Sequence, residues 1–416
     1  MSDVLGAGSC PRGDVVDAVV SSVVLVADPR LQEAAVDYWD MSSAAHRGVV
    51  DRLRRVGSVE LALATEAVLG DPHDPVAVHH LSDVVAATFG DGGAWRSLGE
   101  QALHADGTGR LAAHVGRAHD PAAVEVGAAD LLAWPAPAPP ADVPDAPVLV
   151  VVPFRDRTAG RSRLRNLLAC VRALADQTAD RASYRVVVVE ADEQPRWEAV
   201  VRPRVHSYLH LRAAGHFNKA WAVNAGVVQA GPSEVVCVLD ADVLVDREFV
   251  DRNVARFRAR GAQAHLPFRD ALCLDPASSD AAIRRRLLHA DASVAPDVLR
   301  GAVLRRPPGH CVWVRTDLFH RVGGFDERFV GWGGEDLDLV FRLDVVGAVD
   351  RYGDALLHLH HERPQTQVDG KRFYAGRRLL SWHPAGPIGQ LDAPATSTDD
   401  DLAGLIERVE DAAASL

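Results

Sequence analysis

From Val148 onward, short apolar runs alternate with helical segments, and this alternation limits the possible folds more than any other feature of the chain. The run VLVVV at 148–152 is continuous and β-branched, which is typical of a strand buried on both faces of a sheet. Further strands are predicted at 184–190, 205–211 and 234–240, and helices at 160–176 and 218–230. The order of these segments predicts an α/β fold with a doubly wound, mostly parallel sheet and helices on both faces.

Composition and charge narrow the class of protein. The 416 residues suit two or three domains, and a chain with 48% hydrophobic and 25% charged residues is of the soluble globular class. The net charge of -12 argues against nucleic-acid or anionic-membrane binding, because such a field repels phosphate. No apolar stretch reaches the length of a membrane span, and the N-terminus lacks the features of a signal peptide. We therefore expect a soluble, cytoplasmic protein.

Cysteine and lysine usage add little about function. The five cysteines are scattered without a CxxC pair, which indicates small core residues in a reducing compartment. Only two of the 45 basic residues are lysines, Lys219 and Lys371. Together with the abundance of Ala, Val and Arg, this indicates the codon usage of a GC-rich, bacterial genome.

Composition also divides the chain into segments. Residues 1–134 show helical periodicity and no chemical motif, which predicts an all-helical N-terminal accessory domain. Residues 135–147 form a Pro/Ala-rich linker, and a domain with the alternating pattern follows over 148–384. Residues 385–416 are predicted to form a linker and a final amphipathic helix. We expect the N-terminal domain to serve acceptor or partner docking, with oligomerisation as the alternative.

Charged residues follow two of the predicted strands. In open α/β sheets, ligands bind beyond the carboxyl ends of the strands. Arg155 and Arg157 follow the first strand, and their guanidinium groups match the geometry of phosphate or carboxylate; a solvated basic face is the alternative. Asp240 and Asp242 follow the fourth strand, where two carboxylates can hold Mg²⁺ or Mn²⁺; acidic turn residues are the alternative.

Two later motifs also carry chemistry. The glycines around Trp332 permit a hinge, and the following helix begins with carboxylates that suit a general base or simple N-terminal capping. HLHHERP at 358–364 contains His358 and His361, which have ligand spacing if the chain turns there. A solvated histidine run is the alternative interpretation.

Six motifs occur together in a fixed order. They are PFRDR (153–157), FNKAWAVNAG (217–226), LDADV (239–243), RVGGFDERF (321–329), GWGGEDLDL (331–339) and HLHHERP (358–364). Over about residues 148–365 this set resembles the GT-A glycosyltransferases, most closely the β-1,4-galactosyltransferase type and related bacterial family 2 enzymes. The Trp-Gly-Gly-Glu-Asp block is the most specific of the six.

The resemblance assigns a role to each matching residue. It implies a GT-A fold for the alternating domain and Mn²⁺, or Mg²⁺, as the cofactor. Asp336 would be the catalytic base, and Asp240 would contact the ribose side of the donor. The remaining roles fall into three groups of residues. The nucleotide-sugar site would also contain Pro153, Phe154, Arg155, Arg157, Phe217 and Trp332; the acceptor site Trp332, Gly333 and Glu335; the metal site Asp242, His361 and His358.

The implied reaction is sugar transfer. A nucleotide-sugar, expected to be a UDP-sugar, would donate to a hydroxyl of a glycan, peptide or small-molecule acceptor, with inversion. Two departures bear on this expectation: Leu337 stands where the galactosyltransferases have a further acidic residue, and EDLDL resembles the retaining polypeptide N-acetylgalactosaminyltransferases. Retaining transfer and a non-catalytic sugar-nucleotide or glycan-binding module are therefore the alternatives. A nucleotidyltransferase is disfavoured, because 153–160 contains a single glycine.

Overall fold

The computed structural model describes residues 12–397 except 57, 91, 136–142, 259–260, 332, 363–366, 369–370 and 373–379. Most of the predicted Pro/Ala linker, Trp332 and the predicted C-terminal helix lie outside the described residues.

The elements follow in chain order. The helices are α1 Arg12–Ala27, α2 Pro29–Ala34, α3 Val36–Val56, α4 Val59–Gly70, α5 Pro75–Thr88, α6 Gly93–Gly109, α7 Ala128–Ala133, α8 Ser162–Ala175, α9 Glu198–Val201, α10 Lys219–Gln229, α11 Phe249–Arg256, α12 Pro276–Ile283, α13 Thr316–Arg321 and α14 Glu335–Gly347. The strands are β1 Leu111–Val115, β2 Val148–Phe154, β3 Tyr184–Asp192, β4 Ser207–Arg212, β5 Val235–Leu239, β6 Val243–Leu244, β7 Ala264–Leu266, β8 Asp270–Leu274, β9 Arg300–Arg305, β10 Cys311–Arg315, β11 Val349–Arg351, β12 Leu356–His358, β13 Gln367–Val368 and β14 Lys371–Arg372.

These elements form two compact units. The first comprises Met1–Val126, Asp270–Pro307 and Ala355–His360; the second comprises Gly127–Arg269, Pro308–Asp354 and His361–Leu416. The predicted boundaries at 134, 147 and 384 divide the chain into consecutive domains, whereas each observed unit is assembled from three separate stretches of the chain. The physical reason is strand pairing, because β8, β9 and β12 share one sheet with β1, a strand from the N-terminal region. The division into an accessory domain and a catalytic domain remains a prediction about function.

The second unit is built on a seven-stranded sheet in the order β11-β7-β10-β5-β2-β3-β4. Strands β5, β2, β3 and β4 run parallel to one another, and β10 is antiparallel to β5 and β7. Every residue of β2 and β3 is buried, which agrees with the prediction of a strand covered on both faces. The predicted α/β class with a mostly parallel sheet is confirmed.

Helix α10 packs directly on the central strands. Gly226 on this helix lies so close to β2 and β3 that a Cβ there would be 2.6 Å from Val151 Cγ1 and 2.8 Å from Val189 Cγ2. The helix begins at Lys219 because the Asn218 side chain caps it, accepting a hydrogen bond from the Trp221 amide at 2.8 Å. The cap and the close packing therefore fix where the first residues of α10 lie relative to the carboxyl ends of the strands.

The first unit joins helices to a small sheet. Helices α1–α6 bury an apolar core, as the helical periodicity predicts, and strand β1 is present in addition to them. In the sheet, β1 and β8 pair antiparallel with β9, and β12 pairs parallel with β8. Within the part of the chain that the structure describes, no helix has both the length and the apolar character needed to cross a bilayer.

A buried arginine ties the segments of the first unit together. Arg300, at the start of β9, is fully buried. Its guanidinium donates to Asp28 at the N-cap of α2, to Asp275 at the N-cap of α12 at 3.2 Å, and to the Pro72 carbonyl oxygen at 3.1 Å. A buried ion pair that loses one partner leaves an uncompensated charge in the interior. The network therefore couples the helices of the N-terminal region to the 270–307 segment.

We predict that Arg300→Ala destabilises the protein by about 3–5 kcal/mol, because Asp28 and Asp275 would remain buried without their counter-charge. Arg117→Ala is the matched control. In the same unit, a guanidinium nitrogen of Arg117 lies 3.5 Å from Asp83 Oδ1, and both side chains are more than half exposed. We expect that control to cost less than about 1 kcal/mol. Urea unfolding curves measure both changes. Equal midpoints for the two variants would contradict the structural role given to Arg300.

Candidate active site

The carboxyl ends of β5, β2 and β3 lie side by side at one edge of the seven-stranded sheet. Asp240 follows β5, Arg155 and Arg157 follow β2, and Asp192 is the last residue of β3. Helices α10 and α14 contribute their first residues to the same site. Five of the predicted site residues, together with a lysine that had no predicted role, form the two clusters described next.

The first cluster surrounds the ammonium group of Lys219. Its Nζ lies 2.7 Å from Asp240 Oδ1, 2.9 and 3.0 Å from the two carboxylate oxygens of Asp336, and 3.8 Å from Glu335 Oε1. Lys219 is the first residue of α10, and Glu335 and Asp336 are the first two residues of α14. Both helices thus present their N-terminal turns to the cluster, and a helix N-terminus favours negative charge. Lys219 links the end of β5 to the start of α14.

Burial and charge shift the pKa values of this cluster in opposite directions. Burial alone would lower the pKa of Lys219, but Asp240, Asp336 and Glu335 raise it well above its usual value. Burial opposes ionisation of Asp240, yet Lys219 and His310 lower its pKa overall. Burial raises the pKa of Asp336 even though Lys219 opposes the shift, and burial with the neighbouring Asp336 raises the pKa of Glu335 to about 7.

The second cluster is the pair of Asp242 and His361. His361 Nε2 lies 2.9 Å from Asp242 Oδ2, and both side chains are mostly buried. His361 Nδ1 lies 2.9 Å from the Glu362 carbonyl oxygen. Because that oxygen can only accept, Nδ1 is the donor in this contact, and Nε2 is the ring nitrogen that faces Asp242. A metal-binding histidine usually donates through its other ring nitrogen in this way. One carboxylate oxygen and one imidazole nitrogen about 3 Å apart fit two adjacent positions around one divalent ion.

The arginines after β2 are held by their neighbours. Arg155 donates to the Gly215 carbonyl oxygen at 2.6 Å. Arg157 donates from Nε to Asp192 Oδ1 at 2.9 Å, and Asp192 also accepts from Arg196 at 3.0 Å. The two predicted arginines are therefore anchored at the sheet edge, and Asp192 itself is buried.

Other predicted residues are placed less directly. Pro153 and Phe154 belong to β2, and Phe154 is only 2% exposed, so a nucleotide contact by its side chain remains a prediction. The Phe217 carbonyl oxygen accepts a hydrogen bond from the Gly331 amide at 2.8 Å, which attaches the glycine-rich segment to the start of α10. Gly333 has a φ of 93°, in the region that favours glycine. His358 ends β12 of the first unit, and its role as a ligand remains a prediction.

Two residues of the site were missed by the sequence interpretation. Lys219 lies within the motif FNKAWAVNAG, and its residue type was the one signal in the sequence, because the chain otherwise uses arginine almost exclusively as its basic residue. His310 lies with Nδ1 3.6 Å from Asp240 Oδ2, and no motif in the sequence pointed to it.

Comparison with known protein families agrees with this geometry. Residues 149–323 match the family model described as glycosyl transferase family 2, and residues 309–362 match a model described as the N-terminal domain of galactosyltransferase. Residues 149–323 therefore form a family 2 glycosyltransferase domain. Lys219, Asp240 and Asp242 lie within the first match, His361 and Asp336 within the second.

Individual relatives of this glycosyltransferase domain are distant. A pre-mycofactocin glycosyltransferase of Mycobacterium tuberculosis is 28% identical over 246 residues, which are 58% of this chain and 48% of that protein. The match thus spans about half the length of this relative. A validoxylamine A glucosyltransferase of Streptomyces hygroscopicus is 66% identical over 29 residues, 7% of each chain. A mannosyltransferase of Pyrobaculum calidifontis, solved with GDP-Man and Mn²⁺, has a TM-score of 0.35 at 17% identity, covering 57% of this chain and 63% of that one.

We predict that Glu335→Gln changes the pH dependence of stability of the glycosyltransferase domain. A carboxyl group whose pKa rises on folding from 4.5 to about 7 stabilises the folded protein below pH 4.5, and this contribution is lost as the pH rises to 7. The glutamine variant has no such loss. Between pH 5 and pH 8, its free energy of unfolding should therefore rise relative to that of the wild type by on the order of 2 kcal/mol.

Urea unfolding at the two pH values measures this gain. Glu66→Gln is the control, since Glu66 is half exposed and pairs with Arg54 on the surface. Parallel pH profiles for the wild type and the Glu335 variant would contradict the raised pKa.

Proposed function

We propose that the chain is a metal-dependent glycosyltransferase that moves a sugar from a nucleotide-sugar, expected to be a UDP-sugar, to an acceptor hydroxyl with inversion. One observation carries the proposal: the same ammonium group contacts Asp240 and Asp336. Asp240 follows the strand at which the donor would bind, and Asp336 is the predicted base. The base candidate therefore lies next to the donor side of the site, within one unit of the chain.

Asp336 would accept the proton of the acceptor hydroxyl as that oxygen attacks the anomeric carbon. A general base works best when its pKa approaches the working pH, and burial raises the pKa of Asp336 in that direction. Lys219 holds both oxygens of this carboxylate at 2.9 and 3.0 Å and so orients it. Attack from the face opposite the leaving nucleotide would invert the anomeric configuration.

Asp242 and His361 would hold the divalent ion, with His358 as the predicted third ligand. Their donor set of carboxylate and imidazole suits Mn²⁺ better than Mg²⁺, which prefers oxygen ligands alone. When bound, such an ion stabilises the negative charge that develops on the departing diphosphate. Arg155 and Arg157 would add positive charge at the neighbouring strand end, where the nucleotide is expected.

The acceptor would lie on the side of Glu335 and the glycine-rich segment. Glu335 begins α14 next to the base, and Gly333 and Trp332 precede it in the chain. The carboxylate of Glu335 can accept a hydrogen bond from a second acceptor hydroxyl. The acceptor itself is proposed only as a class: a glycan, a peptide or a small molecule that offers a hydroxyl group. We propose that the N-terminal region contributes to acceptor or partner docking.

We predict that Asp336→Asn lowers the transfer rate by roughly 10²–10⁴-fold, because the amide cannot accept the proton while its shape is conserved. Asp317→Asn on the exposed face of α13 is the control and should leave the rate unchanged. Transfer from a panel of UDP-, GDP- and dTDP-sugars to glycan and small-molecule acceptors is measured by release of the nucleotide. NMR of the product gives the anomeric configuration. An active Asp336→Asn variant would contradict the role of the base, and a retained configuration would contradict inversion.

We further predict that His361→Gln weakens Mn²⁺ binding roughly tenfold or more, because the imidazole would supply one of the ligand atoms. His320→Gln, an exposed histidine of α13, is the control. The EPR signal of free Mn²⁺ measures binding directly, without turnover. Chelation with EDTA should abolish transfer, and added Mn²⁺ should restore it. Equal Mn²⁺ affinity of the two variants would overturn the assignment of His361.

A further inference from the structure

We propose that His310 is a positioning residue of the donor site, which fixes the carboxylate of Asp240 on the side not held by Lys219. The proposal rests on the proposed function, since Asp240 is the carboxylate expected to contact the ribose of the nucleotide-sugar. His310 belongs to none of the motifs from which the site was predicted, and it stands one residue before β10.

The backbone places His310 directly opposite Asp240. Strand β10 pairs antiparallel with β5 so that Cys311 lies opposite Leu239. One step further along this ladder, the Asp240 amide donates a hydrogen bond to the His310 carbonyl oxygen at 2.9 Å. The strand pairing therefore extends to these two residues, and it sets the distance between their side chains.

The side chains complete the contact. Asp240 Oδ1 lies 2.7 Å from Lys219 Nζ, and Asp240 Oδ2 lies 3.6 Å from His310 Nδ1. Each oxygen of the carboxylate thus faces a different group, which opposes rotation of the carboxylate about its bond to Cβ. The imidazole itself is backed by the buried ring of Phe268, with 6.3 Å between the ring centroids. His310 is in this way held against Asp240.

The backbone conformation of His310 is unfavourable for its residue type. Its φ is 74°, in the left-handed region that glycine adopts without strain and that side chains rarely adopt. Strained residues of this kind persist where the surrounding structure determines them, and they cluster at functional sites. A glycine at 310 would remove the strain but also the imidazole, so the strain and the side chain can be separated by substitution.

The preceding residue extends the argument to the base. A Cβ built on Gly309 would lie 2.4 Å from Asp336 Oδ2, so a side chain at 309 would displace that carboxylate. Gly309 leaves room for Asp336, and His310 contacts Asp240. The dipeptide therefore sets the positions of both carboxylates that Lys219 bridges.

Three substitutions at 310 separate strain from recognition. We expect His310→Gly to raise Tm by about 2 °C and to weaken binding of UDP in the presence of Mn²⁺ roughly tenfold. His310→Ala should weaken UDP binding equally without the gain in Tm. His310→Asn should retain affinity within about threefold, because asparagine tolerates this backbone and its amide can donate to Asp240. In turnover, we expect the KM for the donor to rise roughly tenfold and kcat to change less than about threefold.

Ala348→Gly is the matched control. Ala348 is an exposed residue with a φ of 55° at the end of α14, so glycine should raise Tm there without changing UDP affinity. Calorimetry with UDP, and with GDP as the second nucleotide, measures binding. His310→Gly with wild-type affinity would overturn the role of His310, as would His310→Asn with the same loss as His310→Ala. A wild type that binds neither nucleotide would overturn the proposed function itself, a result distinct from both.

Discussion

One buried ammonium group organises the candidate active site. Lys219 contacts Asp240 after β5 and both oxygens of Asp336 at the start of α14. Without that cation, the carboxylates of Asp240, Glu335 and Asp336 would converge with no counter-charge. Burial would then force these carboxylates to become protonated or to move apart. Because all three carboxylates lie within 4 Å of the same ammonium group, the end of a central strand and the N-termini of two helices are held together. The strand end at which the donor is expected therefore lies beside the candidate base.

A second buried cation has the corresponding role in the first unit. Arg300 binds Asp28 and Asp275, two helix N-caps that are far apart in the chain. The N-terminal region is therefore joined to the 270–307 segment by a polar network and an apolar core, and also by the pairing of β1 with β9. Removing the N-terminal region would expose the apolar face of β9 and leave Arg300 without one of its carboxylates. The region is structurally integrated with the rest of its unit, and any docking role that it has is an addition to that structural one.

Local patterns predicted the strands of the sheet because β-branched runs such as 148–152 and 235–239 satisfy burial on both faces without further information. They also predicted Asp240 and Asp336, since a carboxylate at a strand end or a helix start is visible in a linear motif. Lys219 stood out in the sequence only as one of two lysines among 45 basic residues. His310 was invisible, because its importance comes from a pairing between β5 and β10, whose residues are distant in sequence.

The sequence by itself determined the class of fold, the order of the four strands and two helices predicted over 148–240, and the residue types available for the chemistry. Only the tertiary structure decided which of these residues meet. It placed Arg157 on Asp192, Phe154 in the core and Lys219 between the carboxylates, and it joined β1 to strands from the middle of the chain. The physical reason is that secondary structure depends on neighbours a few residues apart, whereas charge pairing and strand pairing depend on groups that only the folded chain brings within a few ångströms.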